Sequence, residues 1–328
     1  MAFKDYDRKP TFLDMEIQRA VSHPRNKQSL PEIDATINWE PIEKIVEENY
    51  PVGQSVLGNK AYPPLMLLKA ALLQKWYGIK SDPELETQIN DRFSFKAFIG
   101  LPFSEPSPDH SIICRFRERM GKDTLEKVHH ELLEQFDAMG FSLESGMAVD
   151  ARIVRSASRP VSDRKLKELR EKRKNKAQMR KKTHRAMRFQ RDLDSDWTVK
   201  NNKPLFGMKE HTAIDVESGL VLSTHISKAS EHDTKYFSYV VTKGIHGKKL
   251  PKKVYADKGY SGEPNRDFLS MNGMGDGIMR KNQINASLTE QEIQRNKEIS
   301  KVRYKIEQYF GITHKYHGAG KARFTTIV

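Results

Sequence analysis

The chain has 328 residues, of which 37% are hydrophobic, and this is enough apolar material for a folded core. Its single cysteine, Cys114, excludes an intramolecular disulfide and a zinc site built from cysteines. No apolar run reaches about 18 residues, so the sequence predicts no membrane span. The polar N-terminus also lacks the apolar core of a secretory signal. We therefore expect a cytoplasmic protein.

The net charge of +14 is concentrated in one block of the chain. Residues 155–203 hold 18 Lys and Arg against 6 Asp and Glu, a net charge of +12. Such a block is typical of a surface that binds the phosphates of a nucleic acid, and without base-reading motifs it is expected to bind them without reading sequence. Its candidate contacts include Arg173 and Lys181. The alternative is a solvated helical arm that touches no nucleic acid.

The first 36 residues are interrupted by Pro10, Pro24 and Pro31 and carry little periodic apolar signal. Proline breaks regular structure at most positions. Residues 1–36 are therefore predicted to form an irregular arm.

From residue 37 to 141, apolar residues recur at helical spacing, and Gly78 is predicted to end one of several short helices. One of these helices is predicted to carry Arg115, Arg117 and Arg119 on its outer side. This pattern predicts an all-helical module. The pattern does not distinguish a DNA-binding module from a packing or dimerisation domain, and it favours the two equally. If the module binds DNA, Arg115 is a candidate contact.

The pattern changes at about Gly146. A short apolar strand is followed by the basic block, by a hairpin around residues 217–219, and then by alternating helices and strands. This order predicts an α/β domain over residues 142–328, with the basic block 155–203 as an insert. A mixed sheet flanked by helices is compatible with an RNase-H-like fold. A Rossmann domain is disfavoured, because no GxGxxG motif follows the first strand.

Three acids are attached to apolar segments of this second region. Asp150 and Asp257 each follow three residues of a predicted buried strand, and Glu307 follows Ile306 on the apolar side of the last helix. A buried carboxylate is costly unless it is paired or binds a metal. Carboxylate oxygens suit Mg²⁺, and two such ions can activate an attacking oxygen and stabilise a leaving one. Spacing alone leaves open that each acid is a helix cap or part of an ion pair.

Five segments carry a resemblance to a known family. YADKGYSG, residues 255–262, resembles the second-aspartate motif of bacterial insertion-sequence DDE transposases, and RYKIEQYFG, residues 303–311, is similar to their glutamate motif. SPDHSIICRFRERM resembles the family's N-terminal helical segment, AVDARIV its first-aspartate strand, and PLFGMKEHTAIDVESGLV the hairpin that follows that strand. The five segments occur along this chain in the family's order. The resemblance implies an RNase-H-like domain in which Asp150, Asp257 and Glu307 hold Mg²⁺ or Mn²⁺.

The same resemblance implies a reaction and its partners. The family hydrolyses DNA at the ends of an insertion sequence, and the freed 3′-OH then attacks target DNA. The implied partners are double-stranded DNA, as terminal inverted repeats and target, and a second copy of the chain in a synaptic homodimer. The implied location is the nucleoid of a bacterial cytoplasm. Two alternatives stay open: an inactive product that only binds DNA, and an RNase-H-like nuclease that cuts without joining.

Two positions depart from the family's pattern. Ser300 and His314 stand where relatives carry a tyrosine and a lysine, although Tyr304 and Lys315 lie nearby. The chain also ends soon after the glutamate helix, where related proteins generally continue, so we expect a shortened copy. These departures favour the inactive alternative.

Residues around the acids are further candidates for DNA contact. Arg303 lies one helical turn before Glu307, where it is expected to pair with that acid or to bind a phosphate. Lys209 and His211 are expected to share one face of a strand and either to approach DNA or the carboxylates or to be solvated.

Three more positions complete the prediction. Tyr260 follows Asp257 at the predicted mouth of the site, and Lys315 lies near the end of the last helix. Both are candidate DNA contacts. His232 and Asp233 are expected to cap the next helix rather than to bind a metal.

Overall fold

The computed structural model describes residues 3–6, 11–23, 29–53, 59–141, 145–174, 192–245, 250–282 and 286–322. Two units, Met1–Met139 and Gly140–Ile327, are distinguished by their internal contacts. No helix within these described ranges is both long enough and apolar enough to cross a membrane.

The first unit is built from helices packed around one apolar core. Leu67, Leu73 and Ile89 are among its completely buried residues, and Phe116 brings the longest helix into the same core. The helices in the described part of this unit are α1 (Phe12–Val21), α2 (Leu30–Thr36), α3 (Trp39–Asn49), α4 (Pro64–Trp76), α5 (Asp82–Asp91), α6 (Phe93–Ile99) and α7 (His110–Ala138).

Helix α7 is broken at Gly121, whose φ of +65° lies in the region that glycine adopts without a steric penalty. The residues on both sides of Gly121 are helical, so α7 is one element with a kink at this glycine. The predicted helix end at Gly78 is confirmed, since α4 ends at Trp76 and Gly78 has a φ of +64°.

The predicted irregular arm is wrong in its described part, because α1 and α2 lie within residues 1–36. Thr11 and Asp14 form a reciprocal cap at the start of α1: each backbone N–H donates to the other residue's side chain, at 2.9 and 3.2 Å. Pro31 does not interrupt α2, because it lies in the first turn, where a backbone N–H has no partner within the helix.

The second unit combines a sheet with helices. Its strands are β1 (Met147–Arg155), β2 (Asp196–Lys200), β3 (Lys203–Asp215), β4 (Val221–Lys228), β5 (Lys253–Ala256) and β6 (Gly275–Ile278). Its helices in the described ranges are α8 (Asp163–Lys174), α9 (Phe237–Lys243), α10 (Glu263–Met271) and α11 (Glu290–His317), with short 3₁₀ turns at Asp233–Tyr236 and Lys258–Tyr260.

The six strands form one mixed sheet. Strand β3 pairs antiparallel with β1, β2 and β4, whereas β5 runs parallel to β1 and β6 runs parallel to β5. An antiparallel hairpin on one side of β1 and parallel strands on the other confirm the predicted α/β class, an RNase-H-like mixed sheet flanked by helices and preceded by an all-helical module.

Helix α11 packs against the middle of this sheet. Ile306 is fully buried and joins Ala148 of β1 and Ile214 of β3 in one apolar cluster. Thr289 and Glu292 form a reciprocal cap at the start of the helix, and Gly318 ends it with a φ of +62°. The side of α11 that carries Ile306 is thereby fixed against β1.

The described parts of the basic block are tied to the sheet. Asp192 is fully buried and accepts hydrogen bonds from the Ser156 and Ser195 hydroxyls, both at 2.6 Å. Trp197 donates its indole N–H to the Val161 carbonyl at 2.8 Å and packs on Phe206. The tryptophan therefore anchors this part of the block to the core.

Candidate active site

Asp150 and Asp257 lie at the same level of the sheet. The parallel pairing of β1 with β5 extends to Val149 opposite Ala256, and the next residues are the two aspartates. Asp150 Oδ1 accepts from the Ala151 N–H at 2.8 Å, and Asp257 Oδ1 accepts from the Lys258 N–H at 2.6 Å. Because β1 and β5 are parallel neighbours in this register, the sheet brings together two acids that are far apart in the chain, although β1 continues past Asp150 to Arg155.

Arg303 of α11 lies among the three predicted acids. Its Nη2 is 2.8 Å from Asp150 Oδ2 and 4.0 Å from Glu307 Oε1, and its Nη1 is 3.9 Å from Asp257 Oδ1. The first distance is that of a charge-assisted hydrogen bond, and the other two are ionic contacts without a hydrogen bond. One guanidinium thus connects Asp150, Asp257 and Glu307.

The three carboxylates lie at different depths. The side chains of Asp150, Asp257 and Glu307 are 20%, 39% and 60% exposed, and that of Arg303 is 8% exposed. Burial raises the pKa of the Asp150 carboxyl, and the Arg303 charge opposes this effect. Asp150 forms the floor of the site, and Glu307 forms its rim.

The spacing of the acids is set by the arginine between them. The triad is not among the acid and histidine groups, within the described residues, whose ligand atoms all lie within 4.8 Å of one another. A Mg²⁺ ion binds its oxygens at about 2.0–2.1 Å. A metal shared by all three acids therefore requires the guanidinium to shift.

The side chains of this site are of the chemical types that bind a hydrated divalent ion. Three carboxylates supply hard oxygen ligands. Within the part of the chain that the structure describes, the Tyr260 hydroxyl and the Arg303 Nε–H are buried donors without a hydrogen-bond partner, and they suit the acceptor oxygens of water or phosphate.

The compact group of potential metal ligands that does occur, Glu86, Asp109 and His110, lies in the helical unit. Asp109 caps α7 by accepting from the Ser111 N–H at 2.8 Å, and Glu86 accepts from the His110 N–H at 2.9 Å. Helix capping and an ion pair with His110 account for these contacts.

Tyr260 is buried, which corrects its predicted place at the mouth of the site. The 3₁₀ turn after Asp257 carries the ring inward onto Phe237, with centroids 5.6 Å apart, and leaves it 1% exposed. Burial and the carboxylates of Asp150 and Asp233 raise the pKa of Tyr260 well above its usual value. The phenol is therefore a protonated donor beside the acids and does not face DNA.

Lys209 and His211 share one strand face, as predicted, but neither side chain is free to approach DNA. His211 is fully buried and shares a 2.9 Å hydrogen bond with Ser227, and burial lowers its pKa to about 4. Lys209 is paired with Asp233 at 2.8 Å and donates to the Glu231 carbonyl at 2.6 Å. Both side chains are therefore held within the fold in this structure, and DNA contact at these two positions stays a prediction.

The other candidate DNA contacts fall in three places. Arg115 and Lys315 are exposed on helices, whereas Arg173 is paired with Asp194 at 2.8 Å and keeps a partly exposed side chain. Lys181 lies outside the described residues. His232 caps the following 3₁₀ turn by accepting from the Thr234 N–H, so the capping role predicted for this segment is confirmed at His232.

One contact near the site was missed from the sequence. Arg152 donates to Glu210 Oε2 through Nε and Nη2, at 2.9 and 2.7 Å, and to the Thr313 hydroxyl at 2.6 Å. Because Arg152 lies two residues after Asp150, strand alternation places both on one face. The alternation of side chains along β1 is therefore the sequence signal that places Arg152 beside the candidate site.

Comparison with known families agrees with this arrangement. Residues 141–326 match the family described as transposase DDE domain, and residues 17–119 match a transposase domain family, DUF772. The first match covers more than half of the chain, so the chain belongs to the DDE transposase family. The predicted resemblance is thereby confirmed for the family, and a bacterial insertion sequence as its source stays a prediction.

Two solved structures share a more distant likeness. The chain resembles the piggyBac transposase in its synaptic complex with hairpin DNA, with 9% identity and a TM-score of 0.40, over 94% of this chain and 71% of that one. It also resembles the Mos1 transposase in its paired-end complex with the left transposon end, with 9% identity and a TM-score of 0.21, over 80% of this chain and 83% of that one. At these scores neither likeness bears on function.

Proposed function

We propose that this protein is a metal-dependent DNA transposase that cleaves the ends of an insertion sequence and joins the freed 3′-OH to target DNA. The observation that carries the proposal is the convergence of Asp150, Asp257 and Glu307 on one guanidinium, in a chain of the DDE transposase family. No single capped or ion-paired acid explains why three carboxylates from separate elements surround one buried cation.

In this proposal Asp150, Asp257 and Glu307 hold Mg²⁺, or Mn²⁺ in its place. The metal, when bound, supplies Lewis-acid stabilisation of charge on the attacking and leaving oxygens. Asp150 is mostly shielded from water, so it interacts strongly with any charge beside it. Tyr260 is protonated and offers its hydroxyl as a donor, and Arg303 offers a guanidinium that suits a phosphate once it leaves the acids.

The proposed partner is double-stranded DNA, as terminal inverted repeats and as target. The basic block at 155–203 supports this assignment, because its excess charge suits a phosphate backbone. We retain the helical DNA-binding module (37–141) and the catalytic domain (142–328), interrupted by the basic insert, whereas the described part of residues 1–36 adds two helices to the first unit. A homodimer is proposed because joining requires two DNA ends in one complex. A location at the nucleoid of a bacterial cytoplasm follows from this role.

The test is cleavage of a plasmid that carries the element's ends, with Mg²⁺ present. We expect Asp150→Ala and Asp257→Ala to abolish nicking and to leave duplex binding within about twofold, because removing an acid from this site takes no contact from the phosphates. Asp267→Ala is the matched control, since Asp267 is an exposed acid of the same unit. Wild-type cleavage by either triad variant would sink the assignment.

A DNA-binding protein without catalysis is the second candidate. The specific observation in its favour is His314, since a Cβ on Gly320 would lie only 2.4 Å from the Cδ2 of its ring. The side chain at this departure from the family's pattern therefore lies against the segment that follows α11, two residues past its C-cap Gly318. A strand-transfer assay with pre-cut ends separates the candidates: joining supports the transposase, cutting without joining supports a nuclease, and binding alone supports the inactive protein.

A further inference from the structure

A cleft in the helical unit has a cationic rim. It encloses about 510 Å³ and is lined by Lys4, Lys60, Arg115 and Arg119, together with apolar and tyrosine side chains. Among the described residues that line it, none is Asp or Glu. Such a concentration of one charge attracts an anion.

The cleft has an apolar floor. Leu67 is 1% exposed and Tyr50 is 3% exposed, and Ile112 and Tyr62 cover the floor from two sides. A nucleic-acid strand presents the complementary pattern, since its deoxyribose rings are largely apolar and its phosphates are charged. A small inorganic anion would leave the apolar floor uncovered.

The N-terminal segment forms one wall of this cleft. The Lys4 N–H donates to the Ala61 carbonyl at 2.7 Å, and the Lys4 Nζ lies 3.9 Å from the centroid of the Tyr62 ring. These contacts fix the ammonium group at the rim. The wall is therefore ordered before any ligand arrives.

The three arginines of α7 have separate roles. Arg117 is turned inward, where Nη2 lies 2.5 Å from Asp82 Oδ2 and Nη1 donates to Gln74, which corrects its predicted outward position. Arg115 and Arg119 lie one turn apart and are both exposed at the cleft. The Arg115 hydrogen bonds go to the Ser111 hydroxyl and carbonyl, which are neutral, and its charge acts on the Asp109 carboxylate only at longer range.

We propose that this cleft binds the sugar–phosphate backbone of duplex DNA, with phosphates at Arg115 and Arg119. The inference rests on the proposed function for the identity of the polyanion, and it assigns the helical unit a DNA site separate from the acids. It favours the DNA-binding interpretation of this unit over packing or dimerisation alone. Binding at the cleft is independent of base sequence, because the argument rests on backbone chemistry alone.

The test is binding of a fluorescent 30-base-pair duplex by the full-length protein in EDTA, followed by anisotropy at several salt concentrations. We expect Arg115→Ala/Arg119→Ala to weaken binding about tenfold near 0.1 M salt and to reduce the slope of log affinity against log salt by about 1.8, two phosphate contacts at about 0.9 each. Arg115→Lys/Arg119→Lys should keep most of the slope. Lys44→Ala/Lys80→Ala removes two exposed charges of the same unit outside the cleft lining and should lower the slope less.

Each outcome decides the matter. If the double alanine variant keeps the affinity and slope of Lys44→Ala/Lys80→Ala, the cleft is not a DNA site, and the catalytic proposal stands or falls on Asp257→Ala. If the alanine variant is misfolded by circular dichroism, Arg119→Glu alone takes its place, and an unchanged salt slope overturns the cleft. If the wild type binds no duplex even at 0.05 M salt, both proposals fail.

Discussion

Arg303 Nη2 lies 2.8 Å from Asp150 Oδ2, and this largely buried ion pair is the centre of the candidate active site. A buried charge needs a compensating partner. Asp150 gains one from Arg303, and the same guanidinium lies within 4.0 Å of Asp257 and Glu307. The arginine is therefore a counter-charge shared by the three acids.

The formal charges leave room for a metal ion. Three ionised carboxylates and one guanidinium leave two negative charges uncompensated. A divalent cation would neutralise this excess with Arg303 still beside the acids, so charge alone gives the arginine no reason to leave. The guanidinium and the ion would instead need the same carboxylate oxygens. We therefore expect metal and arginine to compete for the space between the carboxylates.

Replacing Arg303 tests this competition. We expect Arg303→Ala to lower the free energy of unfolding of the metal-free protein by about 3 kcal/mol, because removing one partner of a buried pair leaves a charge uncompensated. Millimolar Mg²⁺ should recover much of that loss, so the variant gains more from Mg²⁺ than the wild type does. Urea unfolding with EDTA and with Mg²⁺ measures both quantities.

Arg303→Lys is the control, since it keeps the charge and loses the planar fork. It should fall between the wild type and Arg303→Ala in EDTA. An equal gain from Mg²⁺ in the wild type and in Arg303→Ala would contradict the competition.

The sequence predicts which acids meet, and it does not predict what connects them. Asp150 and Asp257 each follow three residues of a predicted strand, and the parallel pairing of β1 with β5 sets the two acids side by side, Asp150 within its strand and Asp257 directly after its own. The contact of Arg303 with Asp150 joins residues 153 positions apart and depends on how α11 lies on the sheet. Helical spacing pairs Arg303 with Glu307, yet the structure places Asp150 closer.

Alternation along a strand shows which residues share a face, and it does not show what covers that face. Lys209 and His211 share one as predicted, but Asp233 and Ser227 pack on it. The position of Tyr260 depends on the turn after Asp257. The burial of these side chains could not be predicted from the sequence, because it is set by long-range packing, which local patterns do not contain.

The orphaned hydroxyl of Tyr260 gives a second test. A buried polar group without a partner is destabilising, so Tyr260→Phe should leave the metal-free protein unchanged or more stable by up to about 1 kcal/mol. Tyr236→Phe is the matched control, because that hydroxyl donates to Glu231 and its loss should cost about 1 kcal/mol. Urea unfolding in EDTA compares the two. A loss at Tyr260→Phe as large as that at Tyr236→Phe would mean that Tyr260 has a partner after all.

His211 should make the protein less stable in mild acid. Burial lowers its pKa to about 4 from 6.5, and the charge of Lys209 also opposes protonation, whereas that of Asp233 favours it. The folded state thus binds fewer protons than the unfolded state between these values. The contribution of neutral His211 to the free energy of unfolding is fully present above pH 6.5 and is lost as the pH falls towards 4. The loss is about 2 kcal/mol at pH 5.

The measurement is urea unfolding of the wild type and of His211→Gln at pH 7.5, 6 and 5. Glutamine has no charge to gain and can keep the hydrogen bond to Ser227. The wild type should lose about 2 kcal/mol more than the variant between pH 7.5 and 5. Parallel losses in the two proteins would show that His211 is not the group responsible.

Arg152 should hold the register of α11, and with it the position of Glu307. Its pair with Glu210 is largely buried, at 13% and 10% exposed, and its Nη1 reaches Thr313, six residues beyond Glu307. Arg152→Met should destabilise the protein by about 3 kcal/mol, because Glu210 is then left without its counter-charge. It should also slow plasmid cleavage, because α11 loses this hydrogen bond to β1.

The double variant Arg152→Met/Glu210→Met separates the effect of an uncompensated Glu210 charge from the effect of Arg152 on the position of α11. Replacing both members of a buried pair by apolar residues is often close to neutral, so stability should largely return. Cleavage should not return with it, since the hydrogen bond to Thr313 is still missing. If cleavage recovers together with stability, Arg152 acts through folding alone, and the register of α11 depends on the apolar packing of Ile306 against Ala148 and Ile214.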